Sequence, residues 1–296
     1  MLEKVETLIA KLVDEVGYPK AAELFAKLSG GKRLRARLIL TIAPEAAHAP
    51  LLGAIVELIH AASLLHDDVI DEAMLRRGVA SVNATHGSKV AIMLGDILYS
   101  KAFSELTAFD PAIARSIAES VTRLSVGEMM DVEMADAFNT DRDLYLKMLY
   151  LKTATLIEAA AFSAAVLADK NAQAYATYGK NLGLAFQIVD DILDITADEA
   201  TLGKPSLNDF VEGKTTLPYI DLYESLNVSD QERLKTFHAK VLGDEEKGWI
   251  RSKMNEHGVI ERSYAYAQTL CDEAIAAVGD DVPLHAIIET VLKRSH

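Results

Sequence analysis

Cysteine is almost absent. Cys271 stands alone in 296 residues, which excludes an intrachain disulfide and any thiolate metal cluster and fits a reducing cytoplasm. Positive charge is also short: 30 Lys plus Arg against 44 Asp plus Glu leave a formal net charge of −14. A phosphate backbone would be repelled by that balance, so nucleic acid is not an expected partner. Long hydrophobic runs are missing too. The N-terminal MLEKVETLIAKLVDEV alternates charge with apolar residues at helical spacing and has no apolar core of a signal peptide, so it reads as an amphipathic first helix. The richest apolar run, TLIEAAAFSAAVLA from Thr155, is interrupted by Glu158 and Ser163 and falls short of the roughly 18 residues of a membrane span. A soluble, cytoplasmic protein is expected.

Sustained period-two alternation is hard to find, and so is any Gly/Ser linker, low-complexity tract or internal repeat. What the chain has instead is helical periodicity. Ile55, Leu58, Ile59 and Ala62 recur at spacings of three and four residues, as do Leu144, Met148, Leu151 and Thr155. In FDPAIARSIAES, Asp110 is placed to cap a helix that begins at Pro111. With half its residues hydrophobic, the chain can bury a large core. The expectation is an all-α fold over 1–296, a single large helical bundle of about a dozen helices.

Against this background LLHDDVIDEAMLRRG is unusual. It sets Asp67, Asp68 and Asp71 among Leu64, Leu65, Val69 and Ile70, then adds Arg76 and Arg77. On a helix the three carboxylates project toward one side and repel one another. One such triplet could be a solvated acidic face. The spacing recurs, however, as Asp190, Asp191 and Asp194 in FQIVDDILDIT. Carboxylates are hard ligands, and Mg²⁺ commonly takes one or two of them together with substrate phosphate oxygens. Two such helices facing each other across a cavity would hold a diphosphate through bridging Mg²⁺. Cations suited to that ligand lie close by in the sequence: Lys32 and Arg35 in GGKRLRAR, His60 two turns before Asp67, Lys152 beside Thr153 in LKTAT, Lys204 in LGKP and Lys214 in EGKTT. Gln187 precedes Asp190 by three residues and can share its face. Each of these alone could be an ordinary surface or hydrogen-bonded residue. A nucleotide-binding P-loop is excluded at GKT, since its first glycine would fall at position 208, which is Asn208.

Taken together, GKRLR, HAASLLHDDVIDEAMLRRG, Gly95 with Asp96, LKTAT, FQIVDDILD and GKPSLNDFVEGKTTLP, in this order from about Gly30 to Pro218, resemble the trans-isoprenyl diphosphate synthases, or polyprenyl synthetases. The resemblance implies an isoprenoid-synthase bundle around a central cavity and Mg²⁺-dependent condensation of isopentenyl diphosphate with an allylic diphosphate. Asp67, Asp68 and Asp71 would bind Mg²⁺ on the allylic diphosphate, Asp190 and Asp191 would add metal ligation, and Asp194 completes the second motif. Arg76, Lys152, Lys204 and Lys214 would hold the leaving group. Lys32, Arg35, His60 and Arg77 would bind isopentenyl diphosphate, with Gln187 and Thr153 positioning the allylic substrate. A homodimer is implied, with at most transient membrane contact as a lipophilic product leaves.

Product length in such enzymes often depends on the residues four and five before the first aspartate. Here these are Ser63 and Ala62, both small, with Ile59 and Ile55 continuing the stripe. A helix of about 20 residues spans roughly 30 Å, enough to line a product of roughly six to eight isoprene units. Close helix packing is the other explanation for Ala62 and Ser63. Ile117, Val121 and Leu124 are the expected tunnel floor. Asp131 in VGEMMD occupies a position where many long-chain members have Gln, and the first motif lacks the two extra residues of many bacterial short-chain enzymes. A short-chain synthase, a class I terpene cyclase and an inactive partner subunit are the alternatives.

Overall fold

A computed structural model describes residues 1–28, 31–196 and 206–293, and helix dominates them as expected. The exception is a hairpin of two-residue strands, β1 (Leu75–Arg76) and β2 (Val79–Ala80), directly after the first aspartate motif. Two residues per strand are too few to leave a period-two signal. The chain forms two compact units, Met1–Thr122 with Leu156–Gly179, and Arg123–Thr155 with Lys180–His296.

In the first unit α1 (Leu2–Asp14) buries Val5, Ile9, Leu12 and Val13, one amphipathic face at spacings of three to four. It is followed by α2 (Pro19–Ala26), α3 (Leu34–Ile42) and α4 (Ala49–Ile70). Helix α4 packs against α1 and α3, and against α6 (Ser88–Leu106), which follows the short α5 (Val82–His86). Because neighbours cover α4 on several sides, its apolar residues run nearly all round rather than along one stripe. By length and composition α4 could cross a membrane, and so could the stretch Arg142–Leu167; the apolar windows of the two are 72% and 61% buried inside the fold. The second stretch outgrows the apolar run seen in the sequence because α8 (Arg142–Leu149), a π turn (Tyr150–Ala154) and α9 (Thr155–Leu167) follow without a break. Helix α7 (Pro111–Ala135) begins at the expected cap, with Asp110 Oδ1 accepting the Ala112 N–H at 2.7 Å.

After α10 (Ala172–Thr196) the second unit continues through α11 (Asn208–Val211), α12 (Leu217–Ser225), α13 (Val228–Phe237), α14 (Asp244–Glu256), α15 (Val259–Val278) and α16 (Val282–Leu292). Its core gathers Ile195, Leu207, Phe210, Leu222, Leu234, Ile250 and Met254. Phe210 stacks on Tyr219 with ring centroids 4.1 Å apart. Arg251 Nε ties α14 to the end of α10 by donating to the Ile195 carbonyl at 3.1 Å.

Cys271 is fully buried on α15. Burial, and then the neighbouring Asp272, push its thiol up to about 12. Since the thiolate is the reactive form, Cys271 should resist a maleimide or disulfide reagent at pH 8 in the native protein and react promptly in denaturant. Rapid labelling of the native protein would contradict this packing.

Candidate active site

The first aspartate motif closes α4. Asp67 is half-buried, Asp68 is buried, and Asp71 is exposed at the C-cap. Carboxylates at a helix C-terminus meet the negative end of its dipole, so this placement favours nearby cations. Arg76 supplies one, its Nε donating to Asp68 Oδ1 at 2.6 Å. Burial still raises the Asp68 pKa, with Arg76 opposing and Asp71 adding to the rise.

Arg76 reaches Asp68 because the chain reverses in the β1–β2 hairpin. Arg77 and Gly78 have φ of 53° and 76°, the two positive values that a two-residue type I′ turn requires. Glycine accepts this freely, whereas Arg77 holds a conformation that ordinary side chains disfavour, as residues at functional sites often do. Asn83 Nδ2 donates to the carbonyls of Asp68 and Ala73 at 3.0 and 3.1 Å, and Ser81 Oγ to that of Ala73 at 2.6 Å. These two residues tie the hairpin to the end of α4. Neither is apparent from motif spacing.

Arg35 and His60 join the arginines of the hairpin. Arg35 Nε is buried and has no hydrogen-bond partner among the described residues. Burial lowers the Arg35 pKa, Glu57 works against that and Arg77 adds to it. His60 sits well below the ordinary imidazole range, first through burial and then through the charges of Arg35, Arg77, Arg76 and Arg33. It is therefore neutral near pH 7. Two further members escaped sequence reasoning. Glu57, 3% exposed on α4, accepts the Ala36 N–H at 3.0 Å at the start of α3. Arg33 lies 3.6 Å from Glu57 and donates twice to Glu6, at 2.7 and 3.1 Å. Lys32 is exposed, and its carbonyl accepts from Arg37 Nε at 2.9 Å.

Gly95 explains how α4 meets α6. A Cβ there would lie 2.6 Å from His66 Cδ2 and 3.3 Å from the Ala62 carbonyl. His66 instead docks against α6, 3.1 Å from the Ile92 carbonyl and edge-on to Tyr99. Ile55, Ile59 and Ala62 have no exposed surface, and Ser63, 4% exposed, donates to the His60 carbonyl at 2.9 Å. Ile117 is also fully buried, Leu124 is 7% exposed and Val121 is half-buried.

In the second unit, helical spacing brings Gln187, Asp190, Asp191 and Asp194 together on α10. Asp191 is buried, accepting Gln187 Nε2 at 3.1 Å and a very short hydrogen bond from the Tyr145 hydroxyl of α8. Burial raises its pKa well above the carboxylate range; Asp209 and Asp190 add to the rise, and the two hydrogen bonds oppose it. Gln187 Oε1 in turn accepts from Thr153 Oγ1 at 3.1 Å. Asp190 is half-buried. Asp194 anchors the following segment: its Oδ2 accepts the Asp209 N–H at 3.2 Å and its carbonyl the Leu207 N–H at 2.8 Å.

Lys152 and Thr153 lie in the π turn, which replaces the plain helix expected from the spacing of Leu144, Met148, Leu151 and Thr155. Such one-residue expansions are frequent at functional sites. Its partner is Gly127 on α7, where a Cβ would be 2.7 Å from the Leu151 carbonyl carbon and the Lys152 Cα. Lys152 Nζ lies 2.6 Å from Asp131 Oδ2 and 2.9 Å from Glu128 Oε2. Burial would lower its pKa and nearby Lys214 lowers it further, but Asp131 and Glu128 prevail and raise it. Lys214 pairs with Glu212 at 3.0 Å, and its N–H donates to the Asp209 carbonyl at 2.8 Å. Lys204 lies outside the described residues.

Among the described residues, no three His, Cys, Asp or Glu side chains are gathered as a ready metal site. Asp67 and Asp71 in the first unit, and Asp190 in the second, nevertheless present hard oxygen donors that are not fully buried. In each unit such donors fit Mg²⁺, which keeps waters and takes one or two carboxylates with substrate phosphate oxygens.

Paired aspartate motifs with clustered cations on an all-α scaffold define the trans-polyprenyl diphosphate synthase class, a class of prenyltransferases. The family model for polyprenyl synthetases matches residues 19–250, and the chain belongs to that family. It is 42% identical to octaprenyl pyrophosphate synthase from Helicobacter pylori, whose crystal structure gives a TM-score of 0.94 and is covered over 98% of its chain by 100% of this one. It is 32% identical over 278 residues to octaprenyl diphosphate synthase of Escherichia coli K12, covering 90% of this chain and 84% of that protein. It is also 38% identical over 279 residues to geranylgeranyl diphosphate synthase of Sulfolobus acidocaldarius, covering 86% and 80%. The resemblance drawn from the motifs is borne out at the level of family, fold class and reaction type.

Gly127→Ala should destabilise the protein by roughly 1–3 kcal/mol, the usual range for overpacking, and should lower activity by displacing Lys152. Thermal denaturation and steady-state rates measure the two effects. Unchanged values for both would mean that the π turn does not need this close approach.

Proposed function

We propose that the chain works as one isoprenoid-synthase domain over 1–296, condensing isopentenyl diphosphate head-to-tail with an allylic diphosphate, farnesyl or geranylgeranyl, to a trans product of about six to eight isoprene units. The observation that carries this reading is the buried Arg35 Nε, without a hydrogen-bond partner among the described residues, amid Arg33, His60, Arg76 and Arg77. A buried guanidinium N–H left without an acceptor, in a half-buried cluster dominated by arginine, favours an anion that completes its hydrogen bonds. Isopentenyl diphosphate supplies one to Arg35, His60 and Arg77, with Lys32 at the exposed edge. Neutral His60 offers a hydrogen bond without adding to the repulsion.

Asp67, Asp68 and Asp71 would hold Mg²⁺ on the allylic diphosphate, and Asp190 and Asp191 would supply further metal ligation, with Asp194 setting the segment that leads to Lys214. Bound Mg²⁺ would stabilise the negative charge that develops on the departing diphosphate. Arg76, Lys152, Lys204 and Lys214 act on the same charge, while Thr153 and Gln187 orient the allylic group. The alkene of isopentenyl diphosphate attacks the allylic cation, and a proton is then lost to the released diphosphate. No enzyme nucleophile is needed, so positioning and electrostatics carry the rate.

Exposed Val90, Ile92 and Met93 on α6, and Val126, Met129 and Val132 on α7, support a homodimer, because exposed apolar groups on a helix mark interaction surfaces. A cytoplasmic enzyme would release its lipophilic product by transient membrane contact. A short-chain product is the second reading, favoured by the complete burial of Ile55, Ile59 and Ala62. A longer chain growing along these residues requires their neighbours to move.

Condensation with labelled isopentenyl diphosphate, Mg²⁺ and each allylic primer, followed by sizing of the dephosphorylated products, separates these readings. Discrete products of six to eight units support the first, three or four units the second, and no isopentenyl incorporation overturns both. Asp67→Ala should lower turnover by roughly a hundredfold or more through lost transition-state stabilisation; near-normal activity would remove this residue from the metal site. Ala62→Phe, tested for retained folding, should shorten the product. An unchanged length would mean that Ala62 serves only the packing of α4 on α6.

A further inference from the structure

Glu128 and Asp131 lie one turn apart on α7, and both carboxylates point at the Lys152 ammonium. Asp131 is its directed acceptor, with the Lys152 N–H donating to Oδ2 at 2.6 Å. Glu128 contributes charge: its Oε2 is 2.9 Å from Nζ, yet neither oxygen makes a well-directed hydrogen bond among the described residues. The side chains of Glu128 and Asp131 are 7% and 9% exposed, whereas that of Lys152 is 23% exposed. The ammonium is therefore the accessible member of the trio. It has three N–H donors, of which Asp131 takes one by a directed hydrogen bond, so at least one remains for a ligand even with Glu128 alongside. The same segment of α7 provides Gly127, whose missing Cβ admits the π turn that carries Lys152.

We propose that Glu128 and Asp131 are positioning residues for diphosphate binding, a carboxylate cradle that fixes Lys152 so that its remaining N–H meets an oxygen of the allylic leaving group. This rests on the reading of Lys152 as a diphosphate ligand. Asp131 sets the direction of the ammonium and Glu128 holds its charge, so losing Asp131 has the larger effect. An amide at 131 keeps an acceptor for the Lys152 N–H and preserves most of the alignment.

The test uses the full-length enzyme with Mg²⁺ and measures KM for each substrate, kcat, and the Kd of inorganic diphosphate by calorimetry. Asp131→Ala should raise both the allylic KM and the diphosphate Kd about tenfold, the scale of one charge-assisted hydrogen bond, and leave the isopentenyl diphosphate KM within about twofold. Asp131→Asn should recover most of this loss, and Glu128→Gln should show a smaller rise in the same two constants. An unchanged allylic KM and diphosphate Kd in Asp131→Ala would overturn the proposal, as would tighter diphosphate binding, which would make the carboxylate a competitor of the ligand. If Asp131→Ala does not fold, Glu128→Gln decides: raised constants support the cradle and unchanged ones overturn it. Wild-type condensation is measured first. Its failure would sink the proposed reaction, whereas the diphosphate Kd contrast reads the cradle separately.

Discussion

Negative charge placed where a helix already ends negatively is the constraint on which the site depends. Asp67, Asp68 and Asp71 close α4, while Asp190, Asp191 and Asp194 lie in the last two turns of α10. The helix dipole and mutual repulsion disfavour this gathering of negative charge, and burial adds to the cost at Asp68 and Asp191. A protein under selection for stability alone would gain by replacing them, since such clusters are stable only with cations or hydrogen-bond donors nearby.

The two units meet this constraint differently. In the first, a strained hairpin returns Arg76 to Asp68 and leaves Arg77 with Arg35 and His60, so the compensating charge belongs to a cationic cluster that itself favours an anion. In the second, neutral donors act: Tyr145 and Gln187 hold Asp191, and a backbone N–H holds Asp194. Lys152, a cation of this unit, has two carboxylates of its own on α7. Each unit thus holds charge in a form that a diphosphate with its metal would complete.

Much of this was legible in the sequence because helical period fixes which side chains share a face. The Asp67–Asp71 and Asp190–Asp194 spacings follow from it, the cap at Asp110 follows from its place before Pro111, and the roles of Arg35, His60 and Arg76 were legible only through the resemblance of their motifs to a family. What escaped has no periodic signature. The β1–β2 hairpin is two residues per strand, and Arg77 stands in a turn position usually given to Asn, Asp or Gly. The π turn at Lys152 adds one residue to a turn in a segment that otherwise scans as plain helix, and only the three-dimensional approach of Gly127 accounts for it. Glu57 and Glu128 each interrupt an apolar pattern singly and Tyr145 continues one, so nothing in the sequence sets them apart from surface or core residues. Asp131 stood out only as a departure from the usual Gln, and its contact with Lys152 is visible only in the fold.

The central claim is that these carboxylates hold metal with, and not before, a diphosphate ligand, and Mn²⁺ binding measured by electron paramagnetic resonance tests it directly. With an unreactive allylic thiodiphosphate present, Mn²⁺ should bind at least about tenfold more tightly than to the protein alone, because substrate oxygens complete a coordination that one or two carboxylates begin. Equally tight binding without the ligand would contradict the account, since it would require a preformed carboxylate site.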